Sequence, residues 1–298
     1  MPKDVSIVIP TIEEESVFGL VDSLRRTLGK GIEIIIVDKS SKPYHDKLRS
    51  TGATIIRQRD RGVESAIMQG LQRAHGEILA SIDADETHDI SGIVDGVEMV
   101  RAGKADLVLG NRMRGLEKGS MDRYIMVGNS ALSWMFSRLY KTQVHDVLTG
   151  LFVMRREAFD SIRNVEPYRA GIAFFAIELA RLGYRVREVD IRYYKRRLGK
   201  SKLTRSKLAY GVNVASHLIR QLRDYSPLLI FGGLGVVVVI VGLALGTGVL
   251  VSFVQTGRFT QTGRALLAFM LVVLGFLFFV AGLILDMLLE IEKQISRK

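Results

Sequence analysis

Two carboxylates stand one residue apart at the end of an apolar run in GEILASIDADETHDI. They are Asp83 and Asp85, with Glu86, Thr87 and His88 directly behind them. Adjacent carboxylates repel unless a cation or a donor lies between them. A hard divalent ion takes oxygen ligands and commonly bridges them to phosphate. The chemistry open to such a pair is therefore that of a metal–diphosphate site. On a strand, side chains two apart point the same way, so the pair shares a side if strand geometry runs through Ala84. If the strand has ended, a turn must bring the two together. A lone Asp-x-Asp is equally what a solvated strand end or an Asx turn looks like, so the surrounding elements have to decide.

Those elements alternate. VSIVIP, IEIIIVD, TIIRQ, EILASIDAD and ADLVLGNR read as strands, and SVFGLVDSLRRTL, YHDKLRSTG, GVESAIMQGLQRA and ISGIVDGVEMVRAG as helices. Strands apolar throughout and joined by helices imply an α/β fold whose mostly parallel sheet is covered on both faces. Ligands of such sheets bind beyond the carboxyl ends of strands. Three ends here carry polar residues: Pro10 and Thr11 with Glu13 and Glu14, then Asp38, then Asp83 and Asp85. No G-x-G-x-x-G follows the first strand and no G-x-x-x-x-G-K-[ST] occurs, so dinucleotide-dehydrogenase and P-loop readings lose their support.

The 298 residues divide unevenly. Residues 228–254 carry no charge, and a second apolar run from Ala265 meets its first charge at Asp286. Each is long enough to cross a hydrocarbon layer of about 30 Å. Apolar character on every side argues against buried helices of a soluble protein. The opening MPKDVSIVIP is too short for a signal peptide and is interrupted by Asp4. Lysine and arginine are dense before the first span and in the tail, while the linker between spans holds two arginines. The expected organisation is a cytoplasmic domain over 1–205, a juxtamembrane amphipathic segment over 206–226, and a transmembrane hairpin within 227–298 (spans near 228–254 and 265–289). Both termini are then cytoplasmic and the protein is multi-pass in the cell membrane. The net charge of +11 suits an anionic membrane surface, and no nucleic-acid-binding module accompanies it. The absence of cysteine excludes disulfides and thiolate chemistry. Leu132, Trp134, Phe136 and Leu139 fit an apolar helix face, either core or membrane-facing.

PTIEEE, IIIVDKS, RDRGVESAIMQG, ASIDADETHD, LVLGNR, HDVLTGLFVMRREAF, FFAIELARLGY and REVDIRYYKRRLGKSKL occur in that order. Over residues 4 to about 210 the chain resembles family 2 glycosyltransferases of the GT-A fold. In particular it resembles the membrane-anchored polyprenyl-phosphate glycosyltransferases, such as dolichol-phosphate mannose synthases and bactoprenol glucosyltransferases. The resemblance implies metal-dependent, inverting transfer of a hexose from a nucleotide-diphosphate sugar to a polyprenyl phosphate, with Mg2+ or Mn2+ as cofactor. It implies that Asp85 and Asp83 hold the ion, with Thr87 standing where the family often has a glutamine. Pro10, Glu14, Asp38, Asp83, Asp85, Arg112 and Asp146 would bind the nucleotide sugar. Arg123, Arg197, Ser201 and Lys202 would grip the acceptor phosphate. Asp85, Arg112, Arg123, Glu178 and Arg197 form the catalytic set.

The residues themselves leave alternatives open. Glu13 and Glu14 would suit a charged helix start, Arg112 and Arg123 a solvated surface, and Glu178 an ion pair with Arg181 or Arg185. Lys39 replaces the family's usual second aspartate, so mannose from GDP-mannose and glucose from UDP-glucose both stand. Two spans per chain leave room for a homo-oligomer. A processive polysaccharide synthase would carry Gln-x-x-Arg-Trp after the domain, and the one tryptophan here is Trp134. A non-catalytic membrane scaffold is the remaining rival.

Overall fold

A computed structural model describes residues 4–29, 31–60, 62–165, 173–196, 227–258 and 261–296. The chain divides into two compact units, Met1–Lys207 and Leu208–Lys298.

In the first unit the strands are β1 (Val5–Thr11), β2 (Glu33–Asp38), β3 (Thr54–Arg57), β4 (Ile78–Ser81), β5 (Leu107–Asn111), β6 (Phe152–Arg155) and β7 (Val186–Asp190). The helices are α1 (Ser16–Leu28), α2 (Lys42–Lys47), α3 (Val63–Arg73), α4 (Ser91–Arg101), α5 (Arg123–Tyr140), α6 (Arg156–Ile162) and α7 (Ala173–Arg181). The strands form one sheet in the order β3-β2-β1-β4-β6-β5-β7. β1 lies parallel between β2 and β4, and every residue of β2 and β4 is buried, which is why their centres read as apolar runs, IIIV and ILA. α1 buries Val17, Leu20, Val21 and Leu24, one stripe at helical spacing.

The sheet is mixed rather than parallel throughout. β6 runs antiparallel to both β4 and β5, and β7 returns parallel to β5. Neither β6 nor β7 is among the five strands legible in the sequence. β6 is four residues long, and β7 holds three charged residues and two valines at an edge.

β4 stops sooner than EILASIDAD suggests. After Ser81 one further bond joins Ile82 N–H to the Val8 carbonyl at 3.2 Å. A turn then carries Asp83 to Glu86, with Glu86 at φ 53°. Of the two ways to bring the acidic pair together, the chain uses the turn. Gly150 makes it possible: a Cβ there would lie 2.2 Å from Asp83 Oδ2.

α5 divides the four apolar residues read as one face. Leu132 and Phe136 are buried, whereas Trp134 is 70% exposed. Positions 132 and 136 are one turn apart, and 134 falls on nearly the opposite side. The Leu139 side chain lies outside the described ones.

The second unit is a pair of helices, α8 (Gly233–Thr256) and α9 (Thr262–Ser296), with a π-helical turn Leu228–Gly232 before them. Residues Ile230–Thr256 and Thr262–Leu289 are long and apolar enough to cross a membrane, and only 17% of each apolar window is buried. A soluble core helix would be buried over most of its length. The pair packs through glycine. A Cβ on Gly235 would meet the Gly275 carbonyl oxygen at 2.4 Å, and one on Gly275 the Gly235 carbonyl oxygen at 2.6 Å. Small residues allow this close approach of backbones. Gly275→Leu is expected to force the pair apart and lower the thermal midpoint of the chain in micelles, at a cost of about 1–3 kcal/mol or more. Gly233→Leu, which meets open space, is expected to leave the midpoint unchanged.

Candidate active site

The turn after β4 presents two carboxylates in different environments. Asp85 Oδ1 accepts from the Thr87 hydroxyl at 2.7 Å and from the Thr87 N–H at 3.2 Å. Thr87 is buried, and its hydroxyl orients Asp85. Asp85 Oδ2 instead faces the Arg196 guanidinium at 3.7 Å. Asp83 keeps about a third of its side chain exposed, at 34%. Loss of hydration and then the charge of Asp85 push its carboxyl up to about 6, while Arg112 and Arg196 pull it down.

That shift has a measurable sign. Between about pH 4 and 6 the folded chain keeps the Asp83 proton that the unfolded chain has released, so stability falls as pH rises. His88 works in the opposite direction. It is buried against Tyr193, ring centroids 5.1 Å apart, and burial followed by the charge of Arg112 holds it down to about 3. The Asp83→Asn variant isolates the first contribution. Its thermal midpoint is expected to gain on the parent's as pH rises from 4 to 6, and added Mn2+ is expected to close the difference.

The strongest ion pair of the site lies at the end of β5. Arg112 donates to Asp146 from Nε at 2.6 Å and from Nη2 at 2.8 Å, and its backbone N–H reaches the same carboxylate at 3.0 Å. Asn129 on α5 adds a fourth bond at 2.7 Å, and Arg112 Nη2 also donates to the Leu148 carbonyl at 3.0 Å. Asp146 is fully buried. The resemblance gives Arg112 and Asp146 separate contacts with the nucleotide sugar. The fold joins them, leaving the Asp146 carboxylate occupied by the protein. The Arg112 guanidinium packs over the Tyr193 ring at 5.4 Å and still stabilises the charge on Asp83.

Tyr193 belongs to a strap that follows β7. The strap is pinned by Tyr193 N–H to the Gly115 carbonyl at 2.9 Å, by Tyr194 N–H to the Thr87 carbonyl at 2.8 Å, and by Lys195 N–H to Glu117 at 2.6 Å. Its last described residue is Arg196, whose guanidinium pairs with Glu14 as well as facing Asp85. The sequence does not single this arginine out, because Arg197 stands directly beside it in KRRLGKSKL. Arg197, Ser201 and Lys202 lie outside the described residues.

The remaining candidates are spread around this centre. Pro10 lies in β1 opposite Val37, and Glu14 follows the strand, buried, with its carbonyl bound to Tyr44 and its carboxylate to Ser16 and Arg196. Asp38 ends β2 fully buried and accepts from Ser40, His45 (2.7 Å) and Arg57 (3.3 Å). Arg123 opens α5 and is exposed. Glu178 forms an ion pair with Arg181 at 3.7 Å, and Arg185 pairs elsewhere, with Asp106. Among the described contacts, none links Glu178 to the acidic turn.

The acidic turn fits a divalent cation of one kind. Among the described residues no three His, Cys, Asp or Glu side chains converge, so there is no closed cage. Mg2+ and similar ions need only one or two carboxylates when phosphate and water complete the shell. A guanidinium already faces Asp85 Oδ2, so that edge of the turn suits positive charge.

The family model for Glycosyl transferase family 2 matches residues 6–163, more than half of the chain. The chain belongs to this family. Its chemistry is glycosyl transfer, and the matched region runs from β1 through α6. This family 2 member is 22% identical to glycosyltransferase AglJ of Haloferax volcanii, over 98% of its own length and 96% of AglJ. It is 26% identical to the hexosyltransferase Agl6 of low-salt glycan biosynthesis in the same organism, covering 64% of the chain but only 48% of Agl6. It is 27% identical to a dolichol-phosphate mannosyltransferase of Pyrococcus furiosus, over 67% of the chain and 59% of that enzyme. Among solved structures, its fold is similar to glucosyl-3-phosphoglycerate synthase of Mycobacterium tuberculosis in complex with Mn2+, UDP and phosphoglyceric acid. The TM-score is 0.54 at 18% identity, covering 74% of this chain and 78% of that one.

Proposed function

We propose that the chain transfers a hexose from a nucleotide-diphosphate sugar to a polyprenyl phosphate at the cytoplasmic face of a membrane, with inversion at the anomeric carbon. The observation that carries this reading is the meeting of Asp83, Asp85, Arg112 and Arg196 beyond the carboxyl end of β4. Two acids and two guanidiniums gathered there suit a cation and a diphosphate bound together. Support for the lipid acceptor comes from the similarity to a dolichol-phosphate mannosyltransferase and from two helices long enough to cross a bilayer.

In this reading residues 1–205 would form a GT-A domain and 227–298 would anchor the chain with both termini cytoplasmic, while the juxtamembrane segment expected at 206–226 lies outside the described residues. Asp85, held by Thr87, and Asp83 would hold Mg2+ or Mn2+. When bound, the ion supplies neutralisation of the charge that builds on the departing diphosphate. Arg112 and Arg196 lie beside that charge and would stabilise it further. Pro10, Glu14 and Asp38 would wall the nucleotide pocket, with Asp38 holding His45 and Arg57 in place as much as touching the nucleotide. Arg123, Arg197, Ser201 and Lys202 would present the acceptor phosphate. A phosphate oxygen is already anionic near neutral pH, so positioning rather than a strong base is what the protein must supply. His88, buried and held neutral, is not needed as one. Glu178 would act on the acceptor or the sugar only by leaving Arg181.

The test is a screen of GDP- and UDP-sugars with a polyprenyl phosphate and Mg2+ or Mn2+, read by the mass of the lipid product. One hexose added to the lipid phosphate, lost on chelation, is the expected result. No product from any donor would leave the scaffold alternative standing instead.

A further inference from the structure

Glu188 stands on an edge strand, yet only 10% of its side chain is exposed. A carboxylate so placed needs partners, and Glu188 draws them from two separate segments. His145 donates to it from the backbone N–H at 2.6 Å and from the ring at 2.6 Å. A carboxylate oxygen only accepts, so the ring carries its proton on Nδ1. Asn111 donates to the same carboxylate from Nδ2 at 3.1 Å. In the β5–β7 ladder Glu188 lies opposite Leu109 and Asp190 opposite Asn111, so Glu188 reaches Asn111 along the diagonal. Asp190 shares that face of the strand. It takes a second bond from Asn111 at 3.0 Å and pairs with Arg114 at 3.2 Å.

The place of these contacts in the chain gives them their meaning. Asn111 directly precedes Arg112, and His145 directly precedes Asp146. Both members of the buried pair are therefore held one residue upstream, on one carboxylate. β7 is also the root of the strap whose Tyr193 ring packs against the Arg112 guanidinium. Three segments that place Arg112 thus meet at Glu188. The Arg112–Asp146 bonds satisfy each other but do not by themselves set where the pair stands relative to Asp83 and Asp85. We propose that Glu188 is a positioning residue for transfer: by bridging His145 and Asn111 it fixes the Arg112 guanidinium beside the acidic turn, and it acts through Arg112 rather than on the substrate. The inference rests on the reading of this site as a sugar-transfer centre. A carboxylate that only steadied the edge strand would lower the thermal midpoint when removed and leave turnover unchanged well below that temperature.

The full chain is assayed in micelles with polyprenyl phosphate, Mn2+ and the nucleotide sugar that gives product in the donor screen. Glu188→Gln keeps the shape of the side chain but turns one acceptor oxygen into an N–H donor, so it cannot hold both His145 donors. Its kcat is expected to fall about 10–100-fold, because a misplacement of about 1 Å can cost about a hundredfold. KM for the donor is expected to stay near the parent's, since a loss confined to the transition state lowers kcat and kcat/KM equally. His145→Ala, at a side chain 54% exposed, removes the ring donor and is expected to show the same pattern more weakly. His145→Asn, whose amide N–H falls near the place of Nδ1, is expected to restore most of that turnover. Arg187→Gln, on the opposite face of β7, is expected to match the parent. An unchanged kcat in Glu188→Gln would overturn the proposal, and so would His145→Asn performing no better than His145→Ala. Hydrogen exchange keeps the bridge and the proposed function apart. In Glu188→Gln residues 109–114 and 144–148 are expected to exchange faster than in the parent, and β1 and β2 at the same rate. A parent that yields no product sinks the proposed function, whereas exchange unchanged in either segment sinks the bridge.

Discussion

The Asp85→Asn variant is expected to retain its fold and lose about a thousandfold or more in kcat/KM for sugar transfer. The side chain keeps its shape, and the amide oxygen can still accept from Thr87, so local structure has little reason to change. What disappears is the negative charge that faces Arg196 at 3.7 Å and that, with Asp83, would hold the cation. Lewis-acid stabilisation of a leaving group is worth several kcal/mol. A loss of about 4 kcal/mol corresponds to about three powers of ten in rate. Two measurements separate this from misfolding: an unchanged thermal midpoint, and loss of Mn2+ binding followed by the resonance of the free ion. Thr87→Val, which removes the hydroxyl that donates to Asp85 but keeps the backbone N–H that does so too, is expected to cost far less. Near-normal turnover in Asp85→Asn would end the metal–diphosphate reading.

The parts of this fold legible in the sequence are those whose cause is local. β1, β2 and β5 are buried on both faces, so their composition alone declares them. The direction of β6 is not local. Nothing in Phe152–Arg155 says that it lies antiparallel between β4 and β5, because that depends on where α5 and the following loop return the chain. The acidic pair was legible as chemistry, but the turn that joins it depends on Gly150, sixty-seven positions beyond Asp83. Arg112 and Asp146 carry a similar lesson. Read singly, each invites a ligand, and only the fold shows that they satisfy each other. Trp134 shows the opposite failure: its neighbours Leu132 and Phe136 have core periodicity, and grouping it with them hid the side on which it sits. Arg196 could have been found from the sequence, since it is one of two adjacent arginines before Gly199.

The Asp146→Ala variant is expected to be the most damaging single change to stability. Asp146 accepts from three nitrogens of Arg112 and from Asn129, all inside the protein, and its carboxyl is held below the usual carboxylate range by those bonds against the cost of burial. Removing it leaves a guanidinium, 12% exposed, without its counter-charge. Breaking a buried pair in this way costs about 3–5 kcal/mol, a large share of the roughly 5–15 kcal/mol by which domains are stable. The urea midpoint of the full chain in micelles should fall accordingly. Structure and catalysis can then be separated. A buried pair replaced on both sides by apolar residues of similar size is often tolerated, so Arg112→Met with Asp146→Leu is expected to recover much of the midpoint. It is not expected to recover transfer, because Arg112 also bears on the charge of Asp83, at the turn where the diphosphate would lie. A double variant that regains both stability and turnover would reduce Arg112 to a structural strut and transfer its assigned phosphate-binding role to Arg196.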